Sequence, residues 1–375
     1  MYQNEDIKGA SLPDKTLCLT FDDGPGGTDG AGAGPRTLEV AQYLHSQDIQ
    51  ATFFVVGKYA AELPEVLPKL AALGHLIGNH TYDHPHLSQY LSNGGDVVAE
   101  VARADGVIKK WTGSPVTYFR APYGDVGFAP GTANPHPVTD ALNANLSLSL
   151  SHVGPVLWDY DAADWQTWQE HGAAQTAADN YADAIGDDGR GIVLMHDCTS
   201  DMELARRGNR DLEMLRLLVP RLKQKGYEFV RLDDVPDIAA LAQVEITVAL
   251  KAANGLYVSP QDGGGGDVLV NGPDVGQWEP LVVEDVGVGK VALRTVTGHY
   301  LSAEGGGGGN IVATADTPGD FEAFDLISMG PYQVAFRSFK GDFPSPDNAT
   351  SALVATAHHQ DMNPDTVFMF EYITT

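Results

Sequence analysis

Five short stretches hold the residues of this chain that could do chemistry. Thr20-Phe21-Asp22-Asp23-Gly24-Pro25 sets two adjacent carboxylates before a Gly-Pro breaker. Such a pair reads either as a polar turn or as two acids with separate jobs, one on a metal and its neighbour left as a base. His80-Thr81-Tyr82-Asp83-His84 carries two imidazoles four apart, which can reach one metal from one side. Pro85 disfavours α geometry at His84, so the pair reads as a loop entering a helix. In a chain with 12 histidines the same spacing also arises as a surface feature. Arg120-Ala121-Pro122-Tyr123 offers either a solvated charge or a bidentate partner for a buried aspartate. Asp161-Ala162-Ala163-Asp164-Trp165 reads alone as a helix N-cap with a packing tryptophan. Leu194-Met195-His196-Asp197 reads alone as a satisfied loop histidine.

The elements around these stretches give them a common address. Apolar, β-rich runs predict strands at Thr16–Phe21, Ala51–Val56, His75–Gly78, Val116–Phe119, Pro155–Trp158, Ile192–Met195 and Glu228–Leu232. Helical patterns fill Pro35–Ser46, Leu63–Leu73, Val97–Trp111, Ala173–Ile185 and Asp211–Lys225. The stretch Gly127–Val153, rich in Gly, Pro, Asn and Ser, yields no assignment. Strand–helix alternation argues for a parallel sheet, open or closed into a barrel. Each chemical stretch follows one of these strands, and loops after parallel strands share one face. The five therefore converge as a metal-hydrolase inventory: Asp23, His80 and His84 as three ligands, with water at an open fourth position.

In order and wording the five motifs are similar to those of the polysaccharide deacetylases of carbohydrate esterase family 4, the NodB-homology group. The resemblance covers residues 12 to about 240, and Ala51-Thr52-Phe53-Phe54-Val55-Val56-Gly57 also resembles the family's second strand. It implies a distorted (β/α) barrel with fewer than eight complete units, and a divalent metal on Asp23, His80 and His84, zinc first, with Co2+, Mn2+ or Ni2+ as alternatives. It implies that Asp22 is the general base toward the attacking water and that Arg120 holds Asp22 ionised. The metal and the Tyr123 backbone N–H would stabilise the oxyanion, His196 would protonate the departing amine, and Asp164 would orient His196. Trp165 and Leu194 would shape the niche for the acetyl methyl. Two departures, the Gly26–Gly34 insertion and the long Gly124–Pro155 connection, are expected to remodel the rim of the substrate groove.

After about Val244 the pattern changes to short strands and frequent turns. Val248-Ala249-Leu250-Lys251 recurs as Val291-Ala292-Leu293-Arg294 and Val334-Ala335-Phe336-Arg337, in steps of 43 residues. Gly255, Gly298 and Gly341 keep the step, as do Tyr257, Tyr300 and Phe343. An aromatic-acid element closes each unit: Trp278-Glu279, Phe321-Glu322-Ala323-Phe324, and Phe368-Met369-Phe370-Glu371 after a slip of about three residues. Three such units look like a β-trefoil, closer to the fascin-like than to the ricin type. The expected organisation is thus multidomain: a catalytic domain at 1–244 and an all-β trefoil at 245–375, whose core would be built on Leu250, Leu293 and Phe336. Tyr257 and Tyr300 are equally readable as core or as sugar platforms. A cut near Val244 is expected to leave a soluble barrel.

Composition narrows the partners. With Lys plus Arg at 23 and Asp plus Glu at 50, the net charge is -27, which repels nucleic acid and anionic membrane surfaces. No apolar run approaches a membrane span. The start, Met1 to Ala10, is polar and acidic, unlike a signal peptide; the expected place is extracellular or at the cell wall, with any leader outside this chain. Cys18 and Cys198 read as buried thiols, with a single disulfide as the alternative. Neutral chitin is indifferent to the charge, anionic wall polymers are not. The expected partner is therefore an acetylated polysaccharide or oligosaccharide of N-acetylglucosamine, deacetylated as by a chitin or chitooligosaccharide deacetylase. The alternatives are an acetyl xylan O-esterase, a peptidoglycan deacetylase, or an inactive lectin-like scaffold.

Overall fold

In the computed structural model the described residues are 1–26, 36–127, 131–198, 209–287, 289–358 and 363–373. Apart from Gly26, the insertion expected at Gly26–Gly34 lies outside them. Two units divide the chain: residues 2–142 with 152–243, and residues 143–151 with 244–375 and Met1.

The first unit is α/β, with strands β1 (Tyr2–Ile7), β2 (Thr16–Asp22), β3 (Thr52–Val55), β4 (Leu76–Asn79), β5 (Thr117–Tyr118), β6 (His152–Val156), β7 (Tyr160–Asp161), β8 (Gly191–His196) and β9 (Glu228–Val230). Two sheets form, ordered β4-β3-β2-β8-β7 and β1-β6-β5, with β9 beside the first half of β2. Every strand pairing in them is parallel. A parallel bridge from Asn79 to Phe119 links the end of β4 to the end of β5.

β2 is buried along its whole length, so both of its faces carry a core. Alternation sends Leu17, Leu19 and Phe21 to the cluster that includes the helix residues Val40, Leu44 and Leu215. Cys18 points the other way, with Phe54, Val156 and Ile192. By the same period of two, Thr20 and Asp22 share the Cys18 face, and Leu194 and His196 share the Ile192 face. The side chains of the first and fifth motifs are thus sorted by strand parity before any loop is considered.

Several boundaries differ from expectation. The strand expected at Pro155–Trp158 is β6, His152–Val156, and the helix expected at Val97–Trp111 is α-helical to Ile108 with a 3-10 turn over Lys109–Trp111. Val66–Ala72 is preceded by a separate helical turn, Gly57–Glu62. The unassigned stretch contains helices Pro137–Asn143 and Leu146–Ser151. Cys18 and Cys198 are both buried and form no disulfide; burial pushes the Cys18 thiol up. Among the described residues no helix is long and apolar enough to cross a membrane.

The second unit is all β and antiparallel. Its strands run β10 (Ile246–Lys251), β11 (Tyr257–Pro260), β12 (Val268–Gly272), β13 (Leu281–Gly287), β14 (Lys290–Thr295), β15 (Tyr300–Ala303), β16 (Gly309–Ala315), β17 (Phe324–Gly330), β18 (Gln333–Arg337), β19 (Phe343–Pro346), β20 (Leu353–Ala357) and β21 (Phe368–Tyr372). Six of them close a ring of pairings, β10-β13-β14-β17-β18-β21 and back to β10. Leu250, Leu293 and Phe336 lie in its core.

The register corrects the alignment of the third repeat. Val248 pairs with Leu281, Val291 with Phe324, and Val334 with Phe368. Phe368 is therefore the counterpart of Phe324, and the slip is one residue, not about three. Tyr257 and Tyr300 are buried, their hydroxyls donating to Glu371 and Glu284 at 2.9 Å each. They are core residues and offer no sugar platform.

Part of the long connection in the first unit belongs to this second core. Leu146 is fully buried there. Tyr372 Oη lies 2.7 Å from both Asn143 O and Ser149 Oγ, and the Tyr332 N–H donates to Ala144 O at 2.8 Å. Residues 143–151 of the long Gly124–Pro155 connection are thus part of the second unit's packing.

Candidate active site

All five motifs lie at the carboxyl ends of parallel strands. Asp22 is the last residue of β2, and in the β2–β8 register it sits opposite His196, the last residue of β8. Asp23 then turns into left-handed backbone at φ 73°, which swings its side chain off the strand's alternation. Gly24 is required by close approach: a Cβ there would strike the Asp197 carboxylate. Thr37 completes this corner, its hydroxyl donating to Asp197 and accepting the Gly26 N–H at 2.8 Å.

Asp23, His80 and His84 come together in a buried cluster, with one donor atom of each within 4.8 Å of the others. Asp23 Oδ1 lies 2.9 Å from His84 Nε2 and 3.5 Å from His80 Nε2. His80 Nδ1 lies 2.8 Å from the Arg120 carbonyl. A carbonyl only accepts, so Nδ1 carries the proton and Nε2 presents its lone pair to the cluster. His84 points into the same space with neither ring nitrogen hydrogen-bonded, although both are buried. Its polar contact is the Asp23 carboxylate, 2.9 Å from Nε2; a buried imidazole with no well-aligned hydrogen bond is costly, and a cation between the two removes that cost. Burial opposes the Asp23 charge, but the adjoining His84 and His80 imidazoles hold this carboxyl well below the usual carboxylate range. Two imidazoles and one carboxylate whose donor atoms lie this close together fit a divalent metal.

Asp22 is held from the other side. Arg120 Nη1 donates to Asp22 Oδ1 at 2.7 Å and to Thr20 Oγ1 at 2.8 Å. Its Nε donates to Val156 O at 3.0 Å and Nη2 to Leu157 O at 3.1 Å. The guanidinium is fully buried and lies 4.2 Å from the Phe54 ring centroid. A buried cation with each of its three nitrogens hydrogen-bonded still needs an anion, and Asp22 supplies it. Asp22 Oδ2 is 3.6 Å from His80 Nε2, which sets the acid beside the cluster.

His196 and Asp164 form the third group. His196 Nδ1–H donates to Asp164 Oδ1 at 2.7 Å, and the His196 backbone N–H donates to Asp164 Oδ2 at 2.8 Å. The Trp165 N–H also donates to Oδ1, at 2.8 Å. Burial works against a charged imidazole, but the Asp164 charge and hydrogen bond outweigh it, with Asp23 and Asp22 adding to them, and His196 is pushed up to about 10. Leu194 is buried, its carbonyl accepting the Tyr181 hydroxyl at 2.5 Å. Tyr123 and Trp165 are exposed by 54% and 39%, the two exposed large hydrophobic residues of the first unit among the described residues.

The structure adds residues that sequence reasoning passed over. Thr20 was legible in principle, being two before Asp22 on a strand and so on its face. Asp197 adjoins His196 in the fifth motif; burial pushes its carboxyl up to about 7. Asp211, on the helix Asp211–Gln224, has both carboxylate oxygens buried and without hydrogen bonds. Burial first, then the neighbouring Asp164 and Asp197, raise it well above the carboxylate range. No local pattern marks Asp211, because only packing shows that it is buried.

Comparison with known proteins gives a match to the polysaccharide deacetylase family over residues 9–132. The chain is 31% identical over 220 residues to a chitooligosaccharide deacetylase of Azorhizobium caulinodans, covering 56% of this chain and 90% of that protein. It is 27% identical over 216 residues to a peptidoglycan-N-acetylglucosamine deacetylase of Bacillus cereus, covering 58% of this chain and 66% of that protein. The solved structure of a chitin deacetylase from Colletotrichum lindemuthianum matches with a TM-score of 0.45 at 23% identity, over 61% of this chain and 89% of that one.

Proposed function

Since the chain belongs, in its N-terminal part, to the polysaccharide deacetylases of carbohydrate esterase family 4, we propose that it removes acetyl groups from chitin-type polymers or oligomers of N-acetylglucosamine, outside the cell or at its wall. It is an amide hydrolase acting on N-acetylglucosamine-containing substrates. The observation that carries the proposed mechanism is the register pair of Asp22 and His196, a base and an acid on neighbouring strand ends beside the buried triad.

Asp23, His80 and His84 would hold a divalent cation, zinc above all for this donor set, which supplies Lewis acidity to water and to the acetamido carbonyl. Asp22 takes the proton of the attacking water, and the Arg120 hydrogen bond keeps Asp22 aimed. The Tyr123 backbone N–H donates to the oxygen as it gains charge. As the C–N bond breaks, His196 gives its proton to the departing amine, and acetate leaves. Asp164 holds His196 in the right tautomer and protonated. Trp165 and Leu194 border the acetyl methyl.

Asp164→Asn tests the acid. His196 acts protonated, so activity is lost as pH rises through its pKa. Without the carboxylate that pKa falls, and the basic limb of the pH–rate profile is expected to move down by about 1–3 pH units. An unmoved limb would remove Asp164 from this role.

The second unit we read as a β-trefoil that binds carbohydrate. Its three four-strand repeats and six-strand ring support the architecture. Its exposed Phe321 and Phe339, packed edge to face at 6.0 Å, are apolar surface of the kind that sugar faces cover. Peptidoglycan is the second reading, favoured by the Bacillus cereus relative, against which stands the charge of -27. One panel tests these readings: acetate release by the full chain from chitopentaose, peptidoglycan glycan strands and acetylated xylan, with pull-down on chitin particles. Chitopentaose is expected to lead and the particles to retain the chain. Faster release from either other polymer would overturn the chitin reading, and no retention would overturn the binding role.

A further inference from the structure

The exposed large hydrophobic residues of the first unit, among the described residues, are Tyr123 and Trp165, one beside the metal ligand His84 and one beside Asp164. Tyr123 is unusually well held for an exposed ring. Its backbone is left-handed at φ 61°. The His84 ring meets it edge-on at 4.7 Å. The His86 ring stacks on it face to face, centroids 3.7 Å apart and planes 11° from parallel. His86 has no part in acetyl removal as described above, and its side chain is 54% exposed.

His86 is itself tied to the next turn. Its Nδ1 lies 3.7 Å from Asp125 Oδ2. That same oxygen accepts the Ser88 hydroxyl at 2.7 Å and the Ser88 N–H at 3.2 Å, while Asp125 Oδ1 accepts the Gly127 N–H at 3.1 Å. Asp125 therefore binds the loop after Tyr123 to the start of the helix Leu87–Ser92, with His86 between them. His86 stacks on Tyr123, the His84 ring lies 4.7 Å away at 63° to it, and 54% of Tyr123 stays exposed.

We propose that His86 is a positioning residue for substrate: it fixes the Tyr123 ring as a flat platform for the pyranose adjoining the acetamido sugar at the metal site. This rests on the reading of the substrate as an N-acetylglucosamine oligomer. A pyranose presents a patch of C–H groups that packs on an aromatic face. An unsupported tyrosine on a loop would have to be ordered on binding, which weakens affinity; a ring already stacked is ordered beforehand. His86 thus governs how tightly an oligosaccharide is held, not how fast its acetyl group is cleaved.

The test is steady-state kinetics of His86→Ala and His86→Phe on chitopentaose, with metal content and melting temperature measured beside them. His86→Ala is expected to raise KM about three- to tenfold with kcat within about twofold. His86→Phe keeps a flat ring and is expected to restore KM. Metal content should match wild type in both. An unchanged KM in His86→Ala, or a phenylalanine no better than alanine, overturns the proposal. So does a joint fall in kcat and metal, which would make His86 a support of the ligand loop. If wild type cleaves peptidoglycan strands and leaves chitopentaose untouched, the chitin reading fails, and the same KM comparison on those strands still decides the role of His86.

Discussion

Asp22→Asn is expected to bind its metal as wild type does and to lose turnover by about 10²–10⁴-fold. The side chain keeps its shape, and its amide oxygen still accepts from Arg120 Nη1, which now lies 2.7 Å from Oδ1. What disappears is the capacity to take a proton. Asp23 and both imidazoles are untouched, so metal content separates the loss of a base from the loss of a ligand. The substitution also leaves the buried Arg120 with only neutral acceptors, Thr20, Val156 and Leu157. A lower melting temperature should therefore accompany the lost turnover. Acetate release near the wild-type rate would show that another group activates the water.

Removing both imidazoles should do the reverse. Wild type purified without chelator is expected to hold about one equivalent of divalent metal. His80→Ala with His84→Ala leaves Asp23 as a lone ligand, and both metal and activity should fall to background. The fold should persist. Neither His84 nitrogen is hydrogen-bonded among the described residues, and His80 makes one bond, to the Arg120 carbonyl. Its loss orphans that carbonyl, and the buried Asp23 carboxylate loses the two imidazoles beside it. Metal retained at one equivalent in a folded double variant would place the site elsewhere.

These experiments rest on a site whose residues were largely readable and whose geometry was not. The run Thr16–Phe21 announces a buried strand, and the chain obliges as far as Asp22. The chemical residues stand out because Asp, His and Arg are unexpected directly after such runs. The pairing of Asp22 with His196 is another matter: 174 residues separate them, and only the β2–β8 register sets them side by side. β1 escaped notice because only Tyr2 and Ile7 of its six residues are buried, so it carries no alternation. Leu146–Ser151, written Leu-Ser-Leu-Ser-Leu-Ser, alternates like a strand and is a helix; burial of Leu146 in a distant core decides its form. His86 was invisible for a simpler reason: a histidine after a proline says nothing until a tyrosine 37 residues on is found lying across it.

A protease that clips the chain near Val244 will not separate its halves. The backbone passes from one unit to the other at residue 143, returns at 152 and leaves again at 244. A single cut at the last crossing leaves 143–151 seated in the C-terminal core with Leu146 fully buried. Fragments 1–243 and 244–375 would travel together as a nicked pair and part only in denaturant. By the same token, a gene shortened by a stop codon at that point would not simply shed a binding module. It would strand an apolar helix in water and strip the shorter protein of solubility. The two units are inherited together or lost together, in the manner of interleaved subunits more than of beads on a string.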